Sequence, residues 1–145
     1  MAILKNFVYC LGTKTETLND GERPVTNIIG LANSLSPDFI PGNFSFSIVF
    51  SILDLDSNSK YKVDIAFVDE TGKELIRTES TTFDGDTTEQ NVYNVPNEFF
   101  GYNIAAELRN VVLEKEGKYK TVIYLNEQNI GEYPIYVKGK KRGSR

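Results

Sequence analysis

Catalysis near neutral pH calls for groups that exchange protons or hold metals, and this chain has few. None of its 145 residues is histidine, which removes His-based triads, His general bases and His metal ligation. Cys10 is the single cysteine. It rules out an intrachain disulfide and a Cys-rich zinc site. Set in an apolar run, it reads as a buried, inert thiol. Asp54, Asp56 and Asn58 begin like a calcium loop, but the glycine and glutamate such a loop needs further on are Ser59 and Ile65 here. Asp84-Gly85-Asp86 places two carboxylates on a loop, where solvation is their ordinary state. Glu107, Glu114 and Glu116 lack a spacing that would pair them as acid and base. The 11 glycines are scattered over turns and form no phosphate cradle. The expectation is therefore no catalytic residue, no metal ligand and no cofactor: a binder, not an enzyme.

The elements that would position any binding group read as strands. Alternation with period two dominates, the signature of half-buried β-structure. In FSFSIVFSI, Phe44, Phe46, Ile48, Phe50 and Ile52 share one face, while Ser45, Ser47, Val49 and Ser51 share the other. YKVDIAFVD repeats the pattern with Tyr61, Val63, Ile65 and Phe67. KELIRTESTTF reads as its return strand, at a sheet edge. ILKNFVYCL and PVTNIIGLA are two further strands around a polar loop turning at Asp20-Gly21. SLSPDFIPGN is a connector. IAAELRNVVLE is divided: Ala105, Ala106, Glu107, Leu108 and Arg109 favour helix, and Val111 and Val112 favour strand. It is assigned as strand from about Asn110, with a helical turn left open between 97 and 108.

The last third carries the strongest structural signal. KYKTVIYLN is a strand, NEQNIG a turn and EYPIYVK a return strand. Gly117-Lys118-Tyr119 has the spacing of a tyrosine corner, in which a Tyr near the start of the penultimate strand hydrogen-bonds backbone upstream. The fold expected is all-β: an antiparallel Greek-key, Ig-like β-sandwich of about eight strands.

An inward Tyr119 sends Thr121, Ile123 and Leu125 inward. Lys118, Lys120, Val122 and Tyr124 then face out, as do Pro134 and Tyr136 on the return strand. Hairpin pairing would gather Lys120, Val122, Tyr124, Pro134 and Tyr136 into an aromatic patch with a lysine rim, a plausible contact surface. The loop bearing Phe99, Phe100 and Tyr102 is the second candidate. Pro134 marks an edge strand, since it has no N–H to donate.

Charge is uneven. The chain holds 16 Lys+Arg against 20 Asp+Glu, for a net charge of -4. Lys138, Lys140, Lys141, Arg142 and Arg145 crowd the C-terminus, so residues 1–138 are read as one domain and 139–145 as a flexible basic tail. Nucleic acid would be met only through Lys140, Lys141 and Arg142, against an acidic body that repels it. No run reaches the roughly 18 apolar residues that span a bilayer, and the N-terminus does not read as a secretory signal. These features place the protein in the cytoplasm of a bacterium or infected host, with a virion component as the alternative.

The order of Asn27-Ile28-Ile29-Gly30-Leu31, the alternating strand from Phe44, Tyr61-Lys62-Val63, Asp69-Glu70-Thr71-Gly72, Gly117-Lys118-Tyr119 and Ile130 to Val137 resembles a family of short, uncharacterised Gram-positive bacterial, prophage and phage proteins with a Greek-key, Ig-like β-sandwich. The resemblance implies that fold and a phage or prophage setting. It supplies no catalytic residues. The function expected is protein–protein contact, including self-association, as a virion accessory part or a host-interference (anti-defence) factor. A carbohydrate-binding module using exposed Tyr with Asp84 and Asp86 is the alternative, and nucleic-acid contact through the tail the second alternative.

Overall fold

The computed structural model describes residues 1–17 and 25–140. Among these residues, ten strands form two sheets: β1 (Ile3–Glu16), β2 (Val25–Ala32), β3 (Ser34–Leu35), β4 (Gly42–Leu53), β5 (Lys60–Val68), β6 (Glu74–Arg77), β7 (Thr81–Asp84), β8 (Gly101–Leu113), β9 (Gly117–Leu125) and β10 (Gln128–Val137). One sheet has the order β2-β1-β4-β8; the other runs β3-β10-β9-β5-β6, with β7 also on β5. Adjacent strands pair antiparallel except β3 and β10, which run parallel. The chain passes between sheets from β2 to β3, β3 to β4, β4 to β5, β7 to β8 and β8 to β9. These crossings make a Greek-key, Ig-like sandwich.

Alternation places the core where the sequence puts it. Phe46, Ile48, Phe50 and Ile52 of β4 are fully buried and meet Tyr61, Val63, Ile65 and Phe67 of β5 and Tyr119, Ile123 and Leu125 of β9 in one cluster. Phe46 and Phe67 bridge the layers edge to face at 5.0 Å, and within the second sheet Phe67 stacks on Tyr119 at 5.6 Å. Such pairs contribute about 0.5–1.5 kcal/mol each beyond area burial.

The structure corrects three expectations. Strand β8 begins at Gly101, well before Asn110, and the helical turn is confined to a 3-10 turn at Asn97–Phe99. Pairing decides this: Ile104, Ala106 and Leu108 stand opposite Phe50, Ile48 and Phe46, and burying that face outweighs the local helix preference of Ala and Glu. Asn110, with φ +53°, forms a bulge in β8, and its N–H donates to Ser45 Oγ at 2.9 Å. The KELIRTESTTF return strand is two strands on successive parts of β5, and the connector contributes β3.

The end of the described chain is also held. Gly139 N–H donates to Glu116 Oε2 at 3.0 Å and Lys140 N–H to the Pro37 carbonyl at 2.9 Å. Both residues belong to the stretch expected to be a flexible tail. Lys140 Nζ stands 3.7 Å from Asp38, whereas Lys141 and Arg142 lie outside the described residues.

Candidate interaction surface

On the outer face of the β9–β5–β6 sheet, Val122 is only 4% exposed and forms a small buried cluster with Ala66 and Val68, flanked by Tyr124. The face is already covered by its own charged side chains. The Arg77 guanidinium lies 4.7 Å from the Tyr124 ring centroid. It makes a forked pair with Glu74, at 3.2 and 2.7 Å, and reaches within 3.9 Å of Asp64. Ser80 Oγ donates to Asp64. The hydrogen bond from Arg77 holds the Glu74 carboxyl below its ordinary range. Lys120, predicted to rim an open patch, donates to Glu132 at 2.8 Å; that bond, with one from Asn129, lowers the Glu132 carboxyl as well. Val122 and Lys120 are thus committed within the molecule.

Register separates the two tyrosines expected to sit together. Tyr136 is opposite Lys118 and Tyr124 is opposite Asn129, six strand positions apart or roughly 20 Å. Asn126 and Glu127 both take positive φ (50° and 69°), so they alone make the turn and β10 starts at Gln128. This is the backbone of a two-residue hairpin turn, whose usual glycine is absent here. Tyr136 is 48% exposed and Pro134 is exposed, a smaller surface than the predicted patch.

The loop before β8 presents more. Residues 85–100 lie beside the β4–β5 turn at one end of the sandwich. Gly85 N–H donates to the Ser59 carbonyl at 2.9 Å, and Asp54 N–H reaches the carbonyls of Asn97 and Phe100 at 3.1 and 3.2 Å. Asn97 Nδ2 donates to the Leu55 carbonyl at 2.9 Å. Within the loop the Asn91 side chain closes a ring on Val95, donating to its carbonyl at 2.8 Å and accepting its N–H at 2.9 Å. Gly85 is required: a Cβ there would come within 2.0 Å of the Asp56 carbonyl oxygen. From this fixed frame Tyr93 and Phe99 project, 83% and 62% exposed, with Val92 beside them. Lys5 Nζ lies 6.0 Å from the Phe99 ring centroid. Phe100 is half-buried. Tyr102 turns inward instead of joining the surface: it packs 4.8 Å from Phe83 and donates its hydroxyl to the Asp84 carbonyl at 2.9 Å. Tyr93 and Val92 escaped the sequence reading. Two adjacent large apolar residues among asparagines in a loop were the available signal.

The carboxylates proposed for sugar contact are engaged in turns. Asp84 accepts the N–H of Asp86 at 3.0 Å, and Asp86 accepts the N–H and hydroxyl of Thr88 at 3.1 and 2.6 Å; the Thr88 hydroxyl bond holds the Asp86 carboxyl below its usual range. A cleft of about 180 Å³ between Ser57, Asp86, Asn91, Asn94 and Asn97 lies next to them. At the opposite end a larger cleft, about 510 Å³, runs between the Asp69–Lys73 turn and the Glu114–Lys118 turn. Its floor is the tyrosine corner: Tyr119 donates to the Lys115 carbonyl at 2.6 Å, and Gly117 takes the positive φ of 141° that the corner turns through. Burial pushes the Tyr119 hydroxyl and the Cys10 thiol above their ordinary ranges. Among the described residues no cluster of Cys, Asp and Glu has metal-binding geometry.

Two crossing antiparallel sheets, a parallel β3–β10 edge and a tyrosine corner define a protein of the Ig-like β-sandwich class. Within that class the chain belongs to a family of unknown function, DUF6941, whose model matches residues 20–138. No curated protein matches it in sequence. Among solved structures it is similar to the Pseudomonas fluorescens alkylpurine DNA glycosylase AlkC bound to DNA containing an abasic site analog, with TM-score 0.45 and 11% identity over 73% of this chain. The chain spans only 28% of that glycosylase. It is also similar to an immunoglobulin-like protein from Pseudomonas aeruginosa, with TM-score 0.41 and 7% identity over 92% of this chain and 97% of that one. A superoxide reductase (neelaredoxin) from Ignicoccus hospitalis gives a TM-score of 0.39 and 12% identity over 92% of this chain and 82% of that one. At this level of similarity none of the three bears on what this chain binds, or on a Gram-positive or phage origin.

Proposed function

We propose that this protein is a non-enzymatic module that works by protein–protein contact, and that the loop end bearing Tyr93 and Phe99 is its contact surface. One observation carries the reading: two aromatic rings are exposed on a loop whose backbone is fixed by hydrogen bonds to the β4–β5 turn and by the Asn91–Val95 ring. Exposed aromatic side chains on a disordered loop would cost ordering entropy on binding. On a fixed loop that cost is largely removed, and Tyr and Phe bring large contact area with only two rotatable side-chain bonds each. The Tyr124 face supports this role less well, because Arg77 and Glu132 already satisfy it. Tyr136 and Pro134 form a secondary surface. The setting we propose, a cytoplasmic interference factor or a virion accessory part of a phage or prophage, rests on the family resemblance in the sequence.

The test is affinity capture from a bacterial host with cross-linking, comparing the native chain with Tyr93→Ser, Phe99→Ser, Tyr124→Ser and Tyr136→Ser. The expected result is a discrete set of proteins lost with Tyr93→Ser and Phe99→Ser and kept with Tyr124→Ser. Equal recovery by all four variants would remove the loop from the reading. Binding that free sugar competes away would favour the carbohydrate alternative.

A further inference from the structure

The two sheets end in four edges, and three are blunted. On β8, Glu107 and Arg109 face out and Asn110 bulges at φ +53°. The β6–β7 edge is interrupted at residues 78–80 and carries Glu74, Arg77 and Asp84. The β3 edge is two residues long and is followed by Pro37. These are the devices by which sheets avoid pairing with other chains. Strand β2 is blunted least: its one irregularity is Gly30, and Val25–Ile29 before it is regular. Its eight residues, VTNIIGLA, hold no charge and no proline. Its only neighbour among the described residues is β1, so among them its other edge presents unpaired N–H and C=O groups. Ile28 and Ile29 are 44% and 52% exposed and point to opposite faces, with Val25 and Leu31 exposed as well.

We infer that β2 pairs antiparallel, edge to edge, with β2 of a second copy of this chain. Charge selects the occupant. The protein is net acidic, at -4, so two copies repel in general, but β2 itself carries no charge, and the Glu16 carboxylate beside it on β1 accepts from Asn27 Nδ2 at 2.7 Å. The backbone selects the register. Gly30 leaves the extended region at φ +70°, which limits regular pairing to Val25–Ile29. A two-fold axis through Asn27 then sets Val25 opposite Ile29 of the other copy on the outer face and Thr26 opposite Ile28 on the inner face. Because strand side chains alternate faces, a two-fold normal to the sheet keeps each face with its own kind. One operation gives the side chains on both faces of Val25–Ile29 a cross-strand neighbour. The inference deepens the protein-contact reading by naming one partner. It uses a separate surface, since the β1 residues that pair with Val25–Ile29 lie about ten positions from the end of β1 beside Phe99.

Sedimentation equilibrium of the full chain up to about 1 mM, the weak limit for a small interface, tests it. The native chain is expected to show a reversible monomer–dimer equilibrium. Ile29→Lys, with circular dichroism and melting unchanged, is expected to weaken it about tenfold or more. Asn27→Cys should form an intermolecular disulfide under mild oxidation, because facing residues of an antiparallel pair have Cα atoms about 4.5–5.5 Å apart; the native chain, whose Cys10 is buried, is the control. A monomer at every concentration, a dimer indifferent to Ile29→Lys, or open-ended aggregates in place of a dimer would overturn the inference. A monomer whose captured partners still depend on Phe99 fails this inference and leaves the loop reading standing. A dimer whose loop variants recover every partner does the reverse.

Discussion

Tyr9 Oη lies 2.7 Å from Thr121 Oγ1, and the two residues belong to opposite sheets, 112 positions apart in sequence. Tyr9 gives its one hydroxyl proton to the Tyr133 carbonyl, so Thr121 is the donor to Tyr9. The relay joins β1 to β9 and β10 through the core, and both side chains are buried. Removing the Tyr9 hydroxyl takes this partner from the buried Thr121 hydroxyl and from the half-buried Tyr133 carbonyl. Tyr9→Phe is expected to cost about 1–3 kcal/mol. Thr121→Val should cost a similar amount, and the double variant less than the sum because one network is lost. Urea unfolding of the three variants checks this.

Burial pushes the Tyr9 hydroxyl up to about 12 from its ordinary 10.0. The folded value lies above the unfolded one, so the contribution is complete below pH 10 and is lost as pH rises from 10 through 12. Burial raises Tyr119 and Tyr133 in the same direction. The native protein should therefore lose stability steeply across that window, and Tyr9→Phe, though less stable at neutral pH, should show a shallower loss. Denaturant midpoints measured from neutral pH to pH 12 decide it; parallel slopes in the two proteins would show that Tyr9 does not titrate with unfolding.

Arg77 stands opposite Ala66, stacks on Tyr124 and forks onto Glu74. A lysine cannot reproduce both the planar stack and the fork. Arg77→Lys should thus retain little of the contribution, and Arg77→Ala should cost about 0.5–1 kcal/mol through lost cation–π contact. Thermal melts of both variants, with Glu74→Gln as a third, measure the split. If Arg77→Lys melts like the native protein, charge alone holds this face.

The loop that presents Tyr93 and Phe99 depends on Asn91 and Gly85. Asn91→Ala removes both bonds to Val95 without touching the core. The expected outcome is an unchanged melting temperature but faster cleavage within residues 85–100 by a broad-specificity protease. Gly85→Ala forces the Asp56 carbonyl aside and should lower global stability by about 2 kcal/mol or more. Equal cleavage rates for native and Asn91→Ala chains would mean the loop is held by its ends alone.

What the sequence determined by itself was everything that repeats locally. Alternation at Phe44–Ile52 and Tyr61–Phe67 set which side chains are inward, and Gly117 with Tyr119 marked the corner, because a strand's facing has a period of two however it is paired. The tertiary structure decided what depends on which strand lies alongside. The Ala105–Arg109 stretch became strand because β4 offered it a buried partner face. The Asn126-Glu127 turn, carrying no glycine signal, shifted β10 so that Tyr124 and Tyr136 never met. Arg77, distant in sequence from Tyr124, stacked over it. Register, edge exposure and cover are pairwise properties of segments far apart in the chain, and no local pattern encodes them.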